Sequence, residues 1–150
     1  MKINIEVYDH GIPMHQQAAE QASQWSEQSE TVLTFKPEDL AEYPYSVLGF
    51  NELSVPLGHI AVVRYEDHVA TIGRFLVNPD YRHLGVGSAL VQHMVGSLGD
   101  VFPDMEKCLV YSTYKSTRIF ESAGGVFAGF RNPILQGRAN WITDLMPAIK

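Results

Sequence analysis

The sequence contains a single cysteine, Cys108, in 150 residues. A lone thiol excludes an intramolecular disulfide and a multi-cysteine zinc site. His10, His15, His68 and His93 show no metal-ligand spacing, so no metal is expected. No run of about 18 apolar residues occurs, so no membrane-spanning helix is expected. Positive charge is scarce: 11 Lys and Arg stand against 17 Asp and Glu, a net charge of −6. Nucleic-acid affinity comes largely from basic patches on phosphates, so no nucleic-acid partner is expected. The acidic balance instead favours attraction of a cationic substrate such as an amine. Repeats, low-complexity tracts and linkers are absent. Met1-Lys2-Ile3-Asn4 opens a strand-like stretch rather than a signal-peptide pattern, and a cytoplasmic location is expected. A single domain over residues 1–150 is expected. A chain of this length buries roughly 68–70% of its extended surface, enough for a core.

The apolar pattern is mixed. Lys2–Tyr8 alternates as a strand, with Ile3, Ile5 and Val7 on one face. Pro13–Glu30 suits a helix with one sparse stripe: Met14, Ala18, Ala19, Ala22 and Trp25. Pro37–Ala41 suits a short helical turn opened by proline. Strands are expected at Tyr45–Asn51, Gly58–Tyr65 and Val69–Val77, the last two joined by the turn Glu66-Asp67-His68. After the turn Asn78–Tyr81, a helix over Leu84–Leu98 follows from Leu90, Val91, Met94, Val95 and Leu98. A strand at Lys107–Tyr111, a helix at Ser116–Ala123 stopped by Gly124-Gly125, and strands at Val126–Phe130 and Trp141–Leu145 complete the chain. The class is α/β (α+β), with a strand–helix–strand–helix–strand unit in the second half.

The richest stretch is Arg82-His83-Leu84-Gly85-Val86-Gly87-Ser88, between an apolar strand and an apolar-faced helix. A glycine-bearing turn at a helix start directs unpaired backbone N–H groups outward, where an anionic phosphate binds. Three phosphate motifs compete for it. A P-loop requires G-x-x-x-x-G-K-S/T, which is absent. A dinucleotide fingerprint requires a third small residue, where this chain has Leu90. The pattern Q/R-x-x-G-x-G/A is met by Arg82-His83-Leu84-Gly85-Val86-Gly87.

That last pattern resembles the pyrophosphate turn of the GNAT superfamily of N-acetyltransferases. The approach Phe75-Leu76-Val77-Asn78-Pro79-Asp80-Tyr81-Arg82 resembles the family's L-x-V-x-P-x-Y-R. Thr117–Gly124 resembles its x-x-L-Y-x-x-x-G helix, with Ile119-Phe120 at Leu-Tyr. The resemblance covers roughly residues 56 to 130, about half the chain. It implies a mixed, mostly antiparallel central sheet flanked by helices, and a protein that takes acetyl-CoA (coenzyme A) as cosubstrate. It places the pyrophosphate on the backbone of Arg82, His83, Leu84, Gly85, Val86, Gly87 and Ser88. It places the pantetheine arm and the thioester carbonyl on backbone groups around Leu76 and Val77. Dimers are common in the family, so a homodimer is compatible with the resemblance.

The resemblance also exposes two departures. Phe120 stands where the family commonly carries a tyrosine that protonates the departing thiolate. Tyr111, Ser112 and Tyr114 lie near it in sequence, and Tyr114 is the first candidate general acid. The stretch Thr71-Ile72-Gly73-Arg74 lacks the glutamate that many relatives use as base. Glu52, His59, Glu66 or a water chain could replace it, and Glu52 is taken as the candidate base. Trp25, Tyr43 and Tyr45 are candidates to line an acceptor pocket, and Cys108 reads as a small core hydrophobe. The expected activity is transfer of an acetyl group to a small-molecule or peptide primary amine by direct attack in a ternary complex. The alternative is a GNAT-fold module that holds acyl-CoA with little or no turnover. Protein N-termini, lysines, polyamines, aminoglycosides and amino acids are all open as acceptors.

Overall fold

The structure is a computed structural model that describes residues 1–28, 36–112, 114–135 and 138–149. For 26–28, 114–115, 131–135 and 138–140 it describes the backbone alone. The strands are β1 (Asn4–Val7), β2 (Tyr45–Phe50), β3 (Pro56–Glu66), β4 (Val69–Val77), β5 (Lys107–Ser112), β6 (Val126–Leu135) and β7 (Arg138–Asp144). They form one sheet in the order β1-β2-β3-β4-β5-β7-β6. β4 and β5 are parallel, while β1–β2, β5–β7 and β6–β7 are antiparallel. The helices are α1 (Pro13–Gln28), α2 (Val86–Val101), α3 (Tyr114–Ser122) and the short α4 (Met146–Ile149). Two 3₁₀ turns lie at Pro37–Ala41 and Pro79–Tyr81. The expected mixed, mostly antiparallel sheet with flanking helices is the observed fold.

Several element bounds differ from the sequence reading by a few residues. α2 begins at Val86 rather than Leu84, because His83 (φ 64°) and Gly85 (φ 84°) lie in the left-handed region, which no helix accommodates. The last two strands are longer than expected, and β7 inserts between β5 and β6. The C-terminal end of the first expected helix, at Glu30, lies outside the described residues.

The chain divides into two compact units, Met1–Ala61 with Arg74–Leu90, and Val62–Gly73 with Val91–Lys150. In the first, the sparse stripe of α1 is its buried face. Ala18 packs on Leu48 and Phe50, and Ala19, Ala22 and Trp25 pack with Leu40 and Leu76. Alanine at these positions lets the helix backbone approach the strands. His15, in the first turn of this helix, is buried, with its ring stacked against Tyr8 and Phe50. Its Nδ1 accepts the Asp9 amide at 2.9 Å, so the neutral ring carries its proton on Nε2, which faces Glu6 Oε1 at 3.3 Å. It is a structural histidine with partners on both ring nitrogens.

In the second unit, Val69–Ile72 pair with Lys107–Val110. Cys108 is fully buried, and desolvation pushes its thiol up to about 12. It is a protonated core side chain, as expected. Asp67 (φ 52°) and His68 (φ 63°) form the two-residue hairpin with both central residues left-handed. Asp104 ties down this tip, accepting from Tyr65 Oη at 2.7 Å and from His68 Nδ1 at 3.0 Å. The amide of Gly125 donates to the Phe120 carbonyl at 3.0 Å, closing α3 where the glycine pair was expected to.

Candidate active site

The approach to the turn is locked by one buried side chain, Asn78. Its amide donates to the Leu57 carbonyl at 2.8 Å, and its Nδ2 donates to the Pro56 carbonyl at 3.0 Å. Its Oδ1 accepts the Asp80 amide at 3.0 Å and caps the 3₁₀ turn Pro79–Tyr81. The chain therefore leaves β4 pinned to the start of β3. The Asn-Pro pair was legible as a turn signal, but the anchoring role of Asn78 was not.

Arg82 is extended (φ −67°, ψ 154°) and exposed. His83 and Gly85, both at positive φ, then swing the backbone into α2, whose first intrahelical bond runs from the Ala89 amide to the Gly85 carbonyl at 3.0 Å. By helix geometry the amides of Val86, Gly87 and Ser88 have no intrahelical acceptor. No acidic residue occupies the first turn of α2. The turn thus offers amide donors and the positive helix end, which favours an anionic group by about 0.3–1 kcal/mol. The expected residues Arg82 to Ser88 are together in one turn, with Val86 and Gly87 buried and the rest exposed.

A glycine outside the motif makes this geometry possible. A Cβ on Gly58 would lie 2.8 Å from Leu90 Cδ1, 2.9 Å from the Leu76 carbonyl oxygen and 3.1 Å from Val86 Cγ1. Gly58 therefore lets β3, β4 and the start of α2 come together. Its sequence signal, a glycine opening an apolar strand run, was read only as a strand start.

β4 changes character at Arg74. Its ladder with β5 runs from Val69 to Ile72, while the strand continues to Val77. Two residues past that ladder, Arg74 has φ 52°, a conformation that turns the peptide planes out of the pleat. Two side chains hold it there. His59 Nδ1 donates to the Arg74 carbonyl at 2.8 Å, and Arg74 Nε donates to Tyr43 Oη at 2.9 Å. His59 is fully buried, and desolvation outweighs its hydrogen bond and brings its pKa down to about 4. It is neutral near pH 7, with Nδ1 carrying the proton. Beyond Arg74, the Leu76 side chain packs among Trp25, Leu40 and Tyr43, and Val77 is half-buried.

A cavity of about 440 Å³ opens nearby in the same unit, walled by Tyr8, Leu40, Tyr43 and Tyr45, with Asp9 and His10 among its polar lining. Its volume is within the range of small-molecule sites, about 300–1,000 Å³. Tyr43 and Tyr45 both line it. Trp25 instead belongs to the buried cluster beneath.

The acid and base candidates are more scattered. Glu52 is exposed on the β2–β3 turn, and its Oε1 accepts the Lys2 amide at 3.2 Å. Glu66 is exposed and lies 3.8 Å from Arg64. Tyr114 is the first residue of α3, but its side chain lies outside the described ones. Phe120 is fully buried, and the Ser112 hydroxyl is 2.8 Å from that of Thr117. Among the described residues, no group of three or more His, Cys, Asp or Glu could hold a metal ion. No helix among them is long and apolar enough to cross a membrane.

The sequence profile of the acetyltransferase (GNAT) family matches residues 11–113, which include β4, the turn and all of α2. The chain belongs to the GNAT acetyltransferase family. No curated protein sequence matches it. Solved GNAT structures match its fold throughout. The ribosomal-protein-S18-alanine N-acetyltransferase from Escherichia coli superposes with a TM-score of 0.72 at 16% identity, covering 95% of this chain and 92% of its own. The spermidine N-acetyltransferase N152L mutant from Vibrio cholerae gives 0.70 at 10% identity, covering 95% and 91%. The catalytic domain of a Tetrahymena histone acetyltransferase, in complex with coenzyme A, gives 0.67 at 13% identity, covering 96% and 93%. At such identities the likeness is one of fold. Family membership and fold together support an acyltransferase of the GNAT class.

Proposed function

We propose that this GNAT protein is an acetyl-CoA-dependent N-acetyltransferase acting on a primary amine in a ternary complex. The observation that carries the reading is the turn at Arg82–Ser88, where left-handed residues feed a helix start with no acidic side chain in its first turn. Its amides suit the pyrophosphate, and Arg82 adds a cation at the rim. The backbone of Leu76 and Val77 is assigned to the pantetheine arm and the thioester carbonyl, in the manner of fixed oxyanion donors. Bound acetyl-CoA supplies an acetyl thioester. In the net reaction the amine nitrogen bonds to the acetyl carbon, the carbon–sulfur bond breaks, and one proton passes from nitrogen to sulfur.

A thiol of pKa about 8.5 is a fair leaving group, so the buried Phe120 is compatible with turnover. Tyr114 is the donor to test first. Tyr114→Phe is expected to lower kcat by about 10²-fold or more, the usual floor for a general acid. Glu52 remains the candidate base, and its bond to the Lys2 amide ties that role to a short exposed turn. The solved relatives include enzymes named for a protein alanine and for spermidine, so their acceptors differ and none is carried over.

Calorimetry with acetyl-CoA tests the cofactor assignment. Gly85→Val is expected to weaken binding by about 10- to 100-fold. A Cβ at Gly85 meets nothing within 4 Å, and the loss comes from strain of about 1–3 kcal/mol at φ 84°. Absence of binding by the unaltered protein at millimolar ligand would overturn the reading. The buried Phe120 favours a second reading, a module that holds acyl-CoA without turnover. Thiol release near 1 s⁻¹ with any amine excludes that alternative.

A further inference from the structure

We propose that Arg74 selects an acceptor amine that also carries an anionic group, a carboxylate being the chemistry that fits. This rests on the N-acetyltransferase reading above. Arg74 immediately precedes Phe75-Leu76-Val77, the segment assigned to the thioester end of the site. Its backbone is held at positive φ from two sides, by His59 on its carbonyl and by Tyr43 on its Nε. A strained non-glycine position persists only where the surroundings over-determine it, and such positions cluster at functional sites.

The side chain is half-buried, and its Nε bond to Tyr43 leaves the two Nη groups of the guanidinium fork. No Asp or Glu among the described residues forms an ion pair with it, whereas Glu6, Glu66 and Asp104 pair with His15, Arg64 and His68. A cation partly removed from water with no counter-ion is unfavourable, and a ligand carboxylate relieves it. The planar fork matches a carboxylate bidentately, which an ammonium does not. Tyr43, which orients the fork, is also a wall of the 440 Å³ cavity, whose other lining joins Tyr8, Leu40 and Tyr45 with the polar Asp9, His10 and Ser46. The net charge of −6 acts at long range, where salt screens it beyond about 8 Å. Contact with Arg74 decides selection at hydrogen-bond distance.

The test compares amino acids with their own amides at saturating acetyl-CoA, following thiol release. The amide has the more readily deprotonated amine, so intrinsic reactivity works against the expected order. The acid is expected to exceed its amide in kcat/KM by roughly 10- to 100-fold, mostly through KM, as for a hydrogen-bonded charge pair. Arg74→Gln is expected to erase the preference while acetyl-CoA affinity by calorimetry stays unchanged. Tyr43→Phe, which keeps the charge but frees the fork, is expected to raise KM for the acid with kcat retained. If Arg74→Gln does not fold, Arg74→Lys keeps the charge without the fork and is expected to lose most of the preference. If no amine turns over, calorimetry of each acid and amide on the coenzyme A complex decides instead. Tighter binding of the acid, lost in the variant, retains the role of Arg74 and retires the turnover reading. Equal binding, better turnover of amides, or a preference that survives in Arg74→Gln overturns the proposal.

Discussion

Gly58→Ala is expected to destabilise the protein by about 1–3 kcal/mol and to raise KM for acetyl-CoA severalfold or more. The added methyl has three neighbours at 2.8, 2.9 and 3.1 Å, and one of them is backbone, the Leu76 carbonyl oxygen. Leu90 can turn its side chain aside at modest cost. The Leu76 carbonyl cannot move without carrying β4 with it, and Val86 is the first residue of α2. Overpacking here therefore displaces the segment assigned to the pantetheine arm and the helix start assigned to the pyrophosphate together. Urea denaturation reads the first effect, and initial-rate kinetics or calorimetry with acetyl-CoA reads the second. A variant with unaltered midpoint and affinity would show that this approach of β3 to α2 is looser than the distances imply.

Stability is expected to fall by about 2–3 kcal/mol between pH 7 and pH 4.5 through His59 alone. Burial lowers the folded-state pKa from 6.5 to about 4. Above pH 6.5 the ring is neutral in both states, and the full stability is present. As pH falls from 6.5 toward 4, the unfolded chain takes up a proton that the folded protein refuses. The unfolded state thus binds more protons and gains on the native state until the folded pKa is reached. His59→Gln keeps an N–H donor for the Arg74 carbonyl but does not titrate. Its urea midpoint is expected to move less over the same pH range, and parallel profiles for the two proteins would contradict the buried neutral ring. The same bond holds Arg74 at φ 52°, so acid is also expected to loosen the acceptor side of the site before the protein unfolds globally.

The turn assigned to the cofactor was legible because its determinants are local. Gly85 and Gly87, the apolar approach from Phe75 to Val77 and the periodicity of α2 lie within one stretch of chain. The conformations they require are set by φ and by helix geometry. The start of α2 was misplaced by two residues because His83, an L residue, adopts the left-handed conformation here beside the glycine. The sparse alanine stripe of α1 was read correctly as its buried face, since helical spacing alone defines it. His59 was seen only as a possible base. Full burial and the donation from Nδ1 make it a positioning residue, which no spacing could reveal.

The sequence by itself determined the family, the alternation of strands and helices and the glycine turn assigned to the pyrophosphate. Each depends on residues close in the chain, and each uses backbone groups that any side chain of suitable φ preserves. Only the tertiary structure decided the insertion of β7 between β5 and β6, the fit of Gly58 under the Leu76 carbonyl, and the clamp of His59 and Tyr43 on Arg74. The clamp and the Gly58–Leu76 contact join residues 15 to 31 positions apart. They follow from strand pairing and packing, in which a residue's partner is set by the register of whole elements and not by its own neighbours in the chain.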